Sequence, residues 1–407
     1  MNLKQTPSQT VPSHVPTHLV YDFDFFNPPG GAEDVHLAWK RLHDVAPDIF
    51  WTPRNGGHWI ATRADDIDVI QADSERFSNK FFVLPVLPLP YPPLPLSLDP
   101  PEHAPVRALI SPAFSPKAIQ HLTEKAREVA ITLIDRIAPD GRCEFVGDFA
   151  KVLPVVVFLE TVGLPPEDRK LLLPLADMIV RNSDKVTKFD AHAKINEYLM
   201  SWIERRKRQP GEDLISKIAS AQIKGRPITT TEVFGLCSLL LIGGLDTVAG
   251  VLSFAALYLA ERPELQAEIA ADPDIIPAAI EELMRRHGLP NTARTVARDL
   301  EYKKIFFKEG DMIQLPRVLY NLDERKIKDP LKVDFHRPEP VPNATFGGGA
   351  HRCPGSMLAR SEMRVFLEEW FKRIPSFQVA PTFKKRTMSG GVNGIETVDL
   401  VWRVASK

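Results

Sequence analysis

The sequence predicts a mainly α-helical protein with small β-sheets, organised as one domain over residues 1–407. Three observations predict it. The apolar stretch from Val233 to Ala260 is far longer than any ordinary strand, apolar positions recur at helical spacing in several segments from Pro116 onward, and strand-like runs are scarce in the second half of the chain. Hydrophobic residues make up 44% of the chain and charged residues 25%, so it can bury a large core.

Taken in chain order, Met1 to His18 is polar and broken by Pro7, Pro12 and Pro16, so it is expected to be neither a signal peptide nor an anchor. His58–Thr62 follows Asn55-Gly56-Gly57 and predicts a strand leaving a tight turn. Pro85–Pro101 holds eight prolines in seventeen residues, which excludes helix and central strand. Its leucines predict an ordered loop packed on a core or a ligand. Ala118–Ile137 carries a helical stripe, and Asp190–Arg208 repeats it before Pro210 and Gly211 stop it. Thr229-Thr230-Thr231-Glu232 caps the long apolar helix. Asp246 at the middle of that helix, and the interruptions at Gly235, Gly243, Gly244 and Gly250, favour a buried soluble-protein helix over a membrane span. Pro273–Arg286 and Gly355–Arg373 are further helices, and Lys304–Phe307 and Val398–Trp402 the best remaining strands.

The formal net charge of -1 argues against nucleic acid as a partner. Three cysteines in 407 residues do not make a disulfide framework, and a reducing cytoplasm is expected. There is no Gly-x-Gly-x-x-Gly after a strand and no phosphate-binding Gly-Lys-Ser/Thr loop, so the chain should not bind a nicotinamide cofactor itself.

Phe346-Gly347-Gly348-Gly349-Ala350-His351-Arg352-Cys353-Pro354-Gly355 joins a glycine-rich turn to a cysteine at the start of a helix. Glycines let backbone approach a flat ligand, and a helix N-terminus with its free N–H groups favours a thiolate there. Cys353 therefore reads as a metal ligand, and Cys143 and Cys237 as structural thiols. Gly243-Gly244-Leu245-Asp246-Thr247 puts a carboxylate beside a hydroxyl inside the apolar helix, where the glycines allow local opening. Taken alone, the pair reads equally as a hydrogen-bonded kink. Glu282 and Arg285 share a helical face. His103 and Arg107 do the same on a helix that Pro100 and Pro101 could start, with Pro105 confined to its first turn, and together they suit an anion.

Phe346, Gly349, His351, Cys353 and Gly355 match the haem signature Phe-x-x-Gly-x-(His/Arg)-x-Cys-x-Gly, so the chain resembles the cytochrome P450 superfamily. Val15–Asp24, Asn55–Arg63, Gly225–Thr229 and Gly243–Val248 extend the resemblance to the bacterial camphor hydroxylase family over nearly the whole chain. The resemblance implies haem b between the long central helix and the Cys353 loop, with Cys353 as axial ligand. It implies propionate partners at His103, Arg107, Arg294 and His351, and an acid–alcohol pair, Asp246 and Thr247, that delivers protons during oxygen activation. It gives Glu282, Arg285 and Arg337 a structural role. Tyr91, Leu239, Ile242, Gly243 and Val392, with the Phe82–Leu98 loop, would bind substrate. The expected partners are O2, a compact apolar terpenoid, and a two-iron ferredoxin with its NADH-dependent reductase, received near Arg107. A monomer is expected, with no membrane. The proline-rich surroundings of Tyr91 and the residues Gly391, Asn291 and Thr292 depart from the camphor-type pattern and leave camphor itself open. A peroxide-driven peroxygenase and a non-catalytic haem sensor are the alternatives. The intact Asp246–Thr247 pair speaks against the first, and the absence of a signalling segment against the second.

Overall fold

The computed structural model describes residues 10–87, 89, 91–338 and 341–404. The first nine residues of the N-terminal stretch, Pro7 included, and Pro88 and Pro90 of the proline loop lie outside the described residues. About half of the chain is helical, and the sheets are small.

The central helix runs unbroken over Thr230–Ala260. Thr229 caps it: its hydroxyl accepts from the Glu232 N–H, and the Glu232 side chain accepts in return from the Thr229 N–H. The helix passes through the middle of the molecule, most of it buried, so its apolar length answers to the core on all sides. Its glycines do not open it. They admit neighbours. A Cβ on Gly235 would sit 2.1 Å from the Pro92 carbonyl oxygen, one on Gly244 2.6 Å from the Phe158 ring, and one on Gly250 2.8 Å from Leu289. Gly243 alone of the four meets nothing within 4 Å.

Around this axis pack the helices Pro116–Ile137, Leu153–Val162, Arg169–Arg181, Lys185–Arg208, Ile276–Arg286 and Ser356–Arg373. The Pro116–Ile137 helix lies along Ser356–Arg373, with Ile119, Leu122, Ala126, Ala130 and Leu133 forming its buried stripe. The helix from Lys185 starts five residues before the polar Asp190 that the apolar pattern suggested, because the Asp184 carboxylate accepts from the Thr187 N–H and caps it. His103–Ile110 is helical immediately after Pro101, with Pro105 in the first turn as the sequence required.

A five-stranded sheet stands beside the helices in the order Ile49–Thr52, His58–Ala61, Met312–Pro316, Asn291–Val296 and Phe77–Ser78. Ile49 pairs with Ala61 in the antiparallel first hairpin, and Ile313 pairs with Arg294. Asn291–Val296 and Met312–Pro316 were not evident in the sequence. Both are buried on both faces, which removes the alternation that marks a strand. They place Thr292 and Arg294 at i and i+2, on one side of the sheet.

Buried histidines should make the fold acid-sensitive, four of them above all. Burial pulls His36 down to about 3, His58 and His192 to about 4, and His287 well below its ordinary value. Glu362 acts in the opposite sense, pushed by burial up to about 8. Unfolding therefore takes up a net excess of protons below pH 6.5. Stability present above that pH is expected to fall as the pH drops toward 4, by about 1.4 kcal/mol per pH unit for each uncompensated histidine. Denaturant titrations at pH 7 and pH 5 check this; equal midpoints would contradict it.

Candidate functional site

One cavity of about 320 Å³ lies between the central helix and the loop that carries Cys353. The helix offers it a single face. Leu239, Gly243 and Thr247 are spaced four apart, and Leu240, Gly244 and Val251 fill the same stripe. Ile242 and Asp246 stand about 100° round the helix from that face, so neither lines the cavity. Ile242 packs instead against a second hydrophobic cluster, which includes Leu172, Leu175 and Ile179.

Asp246 is buried and forms a two-toothed ion pair with Arg181, whose Nη1 and Nη2 donate at 2.9 and 2.6 Å. Arg181 also pairs with Asp177, a half-exposed carboxylate one turn back. Asp246 is thus linked outward through Arg181 to the surface. No sequence signal pointed to Arg181, since sixty-four residues separate it from its partner. The Thr247 hydroxyl faces the cavity and donates to the Gly243 carbonyl at 3.1 Å, which holds it in place without breaking the helix.

On the opposite wall, Gly347 and Gly349 adopt φ of 67° and 62°, the left-handed turn that glycine permits. That turn lets the Cys353 N–H donate to the Phe346 carbonyl at 2.9 Å and brings the sulfur to the cavity floor just before the helix beginning at Ser356. Burial pushes the thiol up, while the Gly355 N–H and the charges of Arg107, Arg352 and Arg360 pull it down. The net direction is upward, and a metal cation at the sulfur would favour the thiolate. Cys143 and Cys237 lie in the hydrophobic core away from the cavity.

The cavity rim is cationic. His103 and His351 stack edge to face with centroids 4.4 Å apart, and among the described residues neither His351 nitrogen nor His103 Nε2 has a partner. Burial and then His103 pull His351 down to about 3, and burial pulls Arg294 to about 9. Among the described residues the Arg294 side chain donates only to its neighbour's carbonyl, and Arg107 donates at 2.7 Å to the carbonyl of Arg352. Arg107 is therefore turned inward to the cavity and the ligand loop rather than outward toward a protein partner. Arg317, absent from the sequence reading, lines the same rim. The carboxylic acid in the lining, Glu362, is the group that burial holds protonated.

The expected substrate residues divide. Leu239 and Gly243 line the cavity, as do Phe82, Pro95 and Leu96 of the proline loop. Tyr91 does not. Its hydroxyl donates to Asn196 Oδ1 at 2.9 Å and lies 3.2 Å from Ser238 Oγ, on the far side of the loop. Gly235 lets the loop backbone press against the central helix, and this turns the phenol away. Val392 also stays outside the lining: its backbone bridges to Pro290, and Leu289, Pro290 and Thr292 take its place at the wall. Glu282 accepts from Arg285 at 2.6 and 3.0 Å and from Arg337 at 2.9 Å, a buried network behind the ligand loop.

The cytochrome P450 family pattern matches residues 167–388. A probable cytochrome P450 127A1 of Sinorhizobium fredii is 33% identical over 410 residues, covering 98% of each chain. The chain belongs to the cytochrome P450 family. Nocardicin C N-oxygenase of Nocardia uniformis is 31% identical over 86% of this P450 and 90% of its own length. The crystal structures of CYP101J2 and CYP101C1 superpose with TM-scores of 0.87 and 0.86, each at 38% identity over 97% of this chain and 100% of theirs. This P450 is a monooxygenase, and members of its family carry haem b. The site fits that group: a cysteine at one wall, an apolar helix face at the other, and a rim of imidazole nitrogens and guanidinium groups that, among the described residues, pair with no carboxylate and suit two propionates.

Proposed function

We propose that this P450 hydroxylates an unactivated C–H bond of a compact apolar terpenoid or norisoprenoid, using O2 and electrons from a two-iron ferredoxin served by an NADH-dependent reductase. The observation that carries the substrate class is the distal wall. Phe82, Leu96, Phe158, Leu239 and Leu240 are apolar, and the Tyr91 hydroxyl is committed elsewhere. Substrate is then held by shape and exclusion of water rather than by a hydrogen bond.

When bound, haem supplies the oxidation. Cys353 holds it from the loop side and donates electron density to it. His103, Arg107, Arg294 and His351 pair with its propionates. Thr247 keeps its hydroxyl, which donates to the Gly243 carbonyl, at the cavity wall, and Asp246, whose Arg181 partner stays protonated, would carry protons inward from the surface beside Asp177 on leaving that pair. The exposed Arg352 and Met357 beside Cys353 offer a basic, partly apolar face suited to an acidic electron donor.

Absorption difference spectra of the ferric enzyme with a panel of ligands test the substrate class. Compact monoterpenoids should shift the spectrum, and a ketone should bind no tighter than an ether or hydrocarbon of equal size. Shifts produced by fatty acids or steroids, with none from the terpenoids, would overturn the proposal.

A further inference from the structure

Arg317 sits directly after the strand Met312–Pro316, buried, on the same rim as Arg294. Among the described residues no carboxylate pairs with it. Its Nη1 donates to Gln71 Oε1 at 2.8 Å, and its Nη2 to Thr292 Oγ1 at 3.2 Å. Gln71 is itself fixed, because its Nε2 donates to Asp68 Oδ1 at 2.9 Å and the other Asp68 oxygen accepts from the Tyr320 hydroxyl. The amide therefore presents its oxygen to Arg317.

Gly348 makes room for this arrangement. Gly347 and Gly349 need glycine for their left-handed backbone, but Gly348 has φ -145°, an extended conformation open to any residue. What Gly348 lacks is space: a Cβ there would lie 2.9 Å from Gln71 Nε2 and 3.1 Å from its Cδ. The middle glycine of the ligand loop thus admits Gln71, which holds Arg317 at the cavity. Burial pulls Arg317 down to about 10, and the charge of Arg317 adds to the burial that lowers Arg294. The charges of Asp68 and Asp99 offset the burial of these two guanidinium groups only from a distance, so an anion meeting both would stabilise them together.

We propose that Arg317, positioned by Gln71 under Gly348, is a further haem-propionate partner, so that the sheet side of the rim clamps a propionate with two arginines. This rests on the reading of Arg294 as a propionate partner. The extra cation slows loss of haem and raises the ferric–ferrous potential, because reduction adds negative charge nearby.

The test uses the holoenzyme. Haem transfer to excess apomyoglobin and potentiometric titration are measured for Arg317→Gln, Arg317→Lys, Gln71→Leu and Arg294→Gln. Arg317→Gln should release haem about tenfold faster, the loss of one charge-assisted hydrogen bond, with a more negative potential. Arg317→Lys should keep the potential while releasing haem faster, and it replaces the glutamine variant if that one fails to fold. Gln71→Leu should raise the release rate through misplacement alone. Unchanged release and potential in both Arg317 variants would overturn the proposal. If Arg294→Gln were also silent, the propionate reading of the rim would fall with it; if only the Arg317 variants were silent, that reading would stand.

Discussion

Cys353→Ser is expected to abolish monooxygenase turnover and to remove the red-shifted Soret band that thiolate ligation gives the reduced, carbon monoxide-bound protein. The loop geometry does not depend on the sulfur: the Cys353 N–H bonds the Phe346 carbonyl, and Gly347 and Gly349 set the turn. Serine should therefore fold in place. What it loses is the soft, polarisable donor, and a serine hydroxyl gives up its proton far less readily than a thiol. Around the sulfur, Arg107, Arg352, Arg360 and the Gly355 N–H favour an anion, and bound iron would favour the thiolate further. Haem content should fall, and the remaining haem should absorb at the position of nitrogen- or oxygen-ligated iron. A red-shifted band retained in the variant would mean that another sulfur ligates. Cys237 is a poor substitute, since burial pushes its thiol up to about 12 and it does not face the cavity.

Arg285→Ala is expected to cost about 3–5 kcal/mol, the loss that follows when one member of a buried ion pair is removed. Arg285 is almost wholly buried. It satisfies both Glu282 oxygens and donates to the carbonyls of Asn321, Pro330 and Lys332. Removing it leaves Glu282 held by Arg337 and the Asp334 N–H alone, and takes a donor from the carbonyls of Asn321, Pro330 and Lys332, of which Lys332 keeps Arg337. Against a total stability of roughly 5–15 kcal/mol this removes a large fraction of the fold. Denaturant titration and the ratio of haem to protein after expression measure it. A loss below about 1 kcal/mol would show that Arg337 carries the network alone. The effect should appear in haem content as well, because the segment tied by Arg285 leads into the ligand loop through Asn321, which donates to Thr345.

Local chemistry made the metal-binding loop, the capped central helix and the amphipathic helices legible. A Gly-x-Gly turn before a cysteine, a Thr-x-x-Glu box and a stripe of period 3.6 each lie within one segment, so the chain determines them without reference to distant residues. The same holds for His103 at the helix start after Pro101 and for Glu282 with Arg285, three residues apart.

What only the tertiary structure decided are the pairings between distant segments. Tyr91 lies in the right stretch of chain, yet the absence of a side chain at Gly235 lets the proline loop seat so that the phenol meets Asn196 and Ser238 instead of the cavity. Asp246 lies next to Thr247 in sequence, yet one step along a helix is a 100° rotation, and that rotation sends one group to Arg181 and the other to the cavity. Arg317 and Gln71 carry no motif at all and meet 246 residues apart beneath Gly348. The sequence determined which chemistry the protein performs, because a metal ligand and its loop are local. Packing decided the polarity of the pocket and the charge of its rim, because both depend on which side chains other contacts have already claimed.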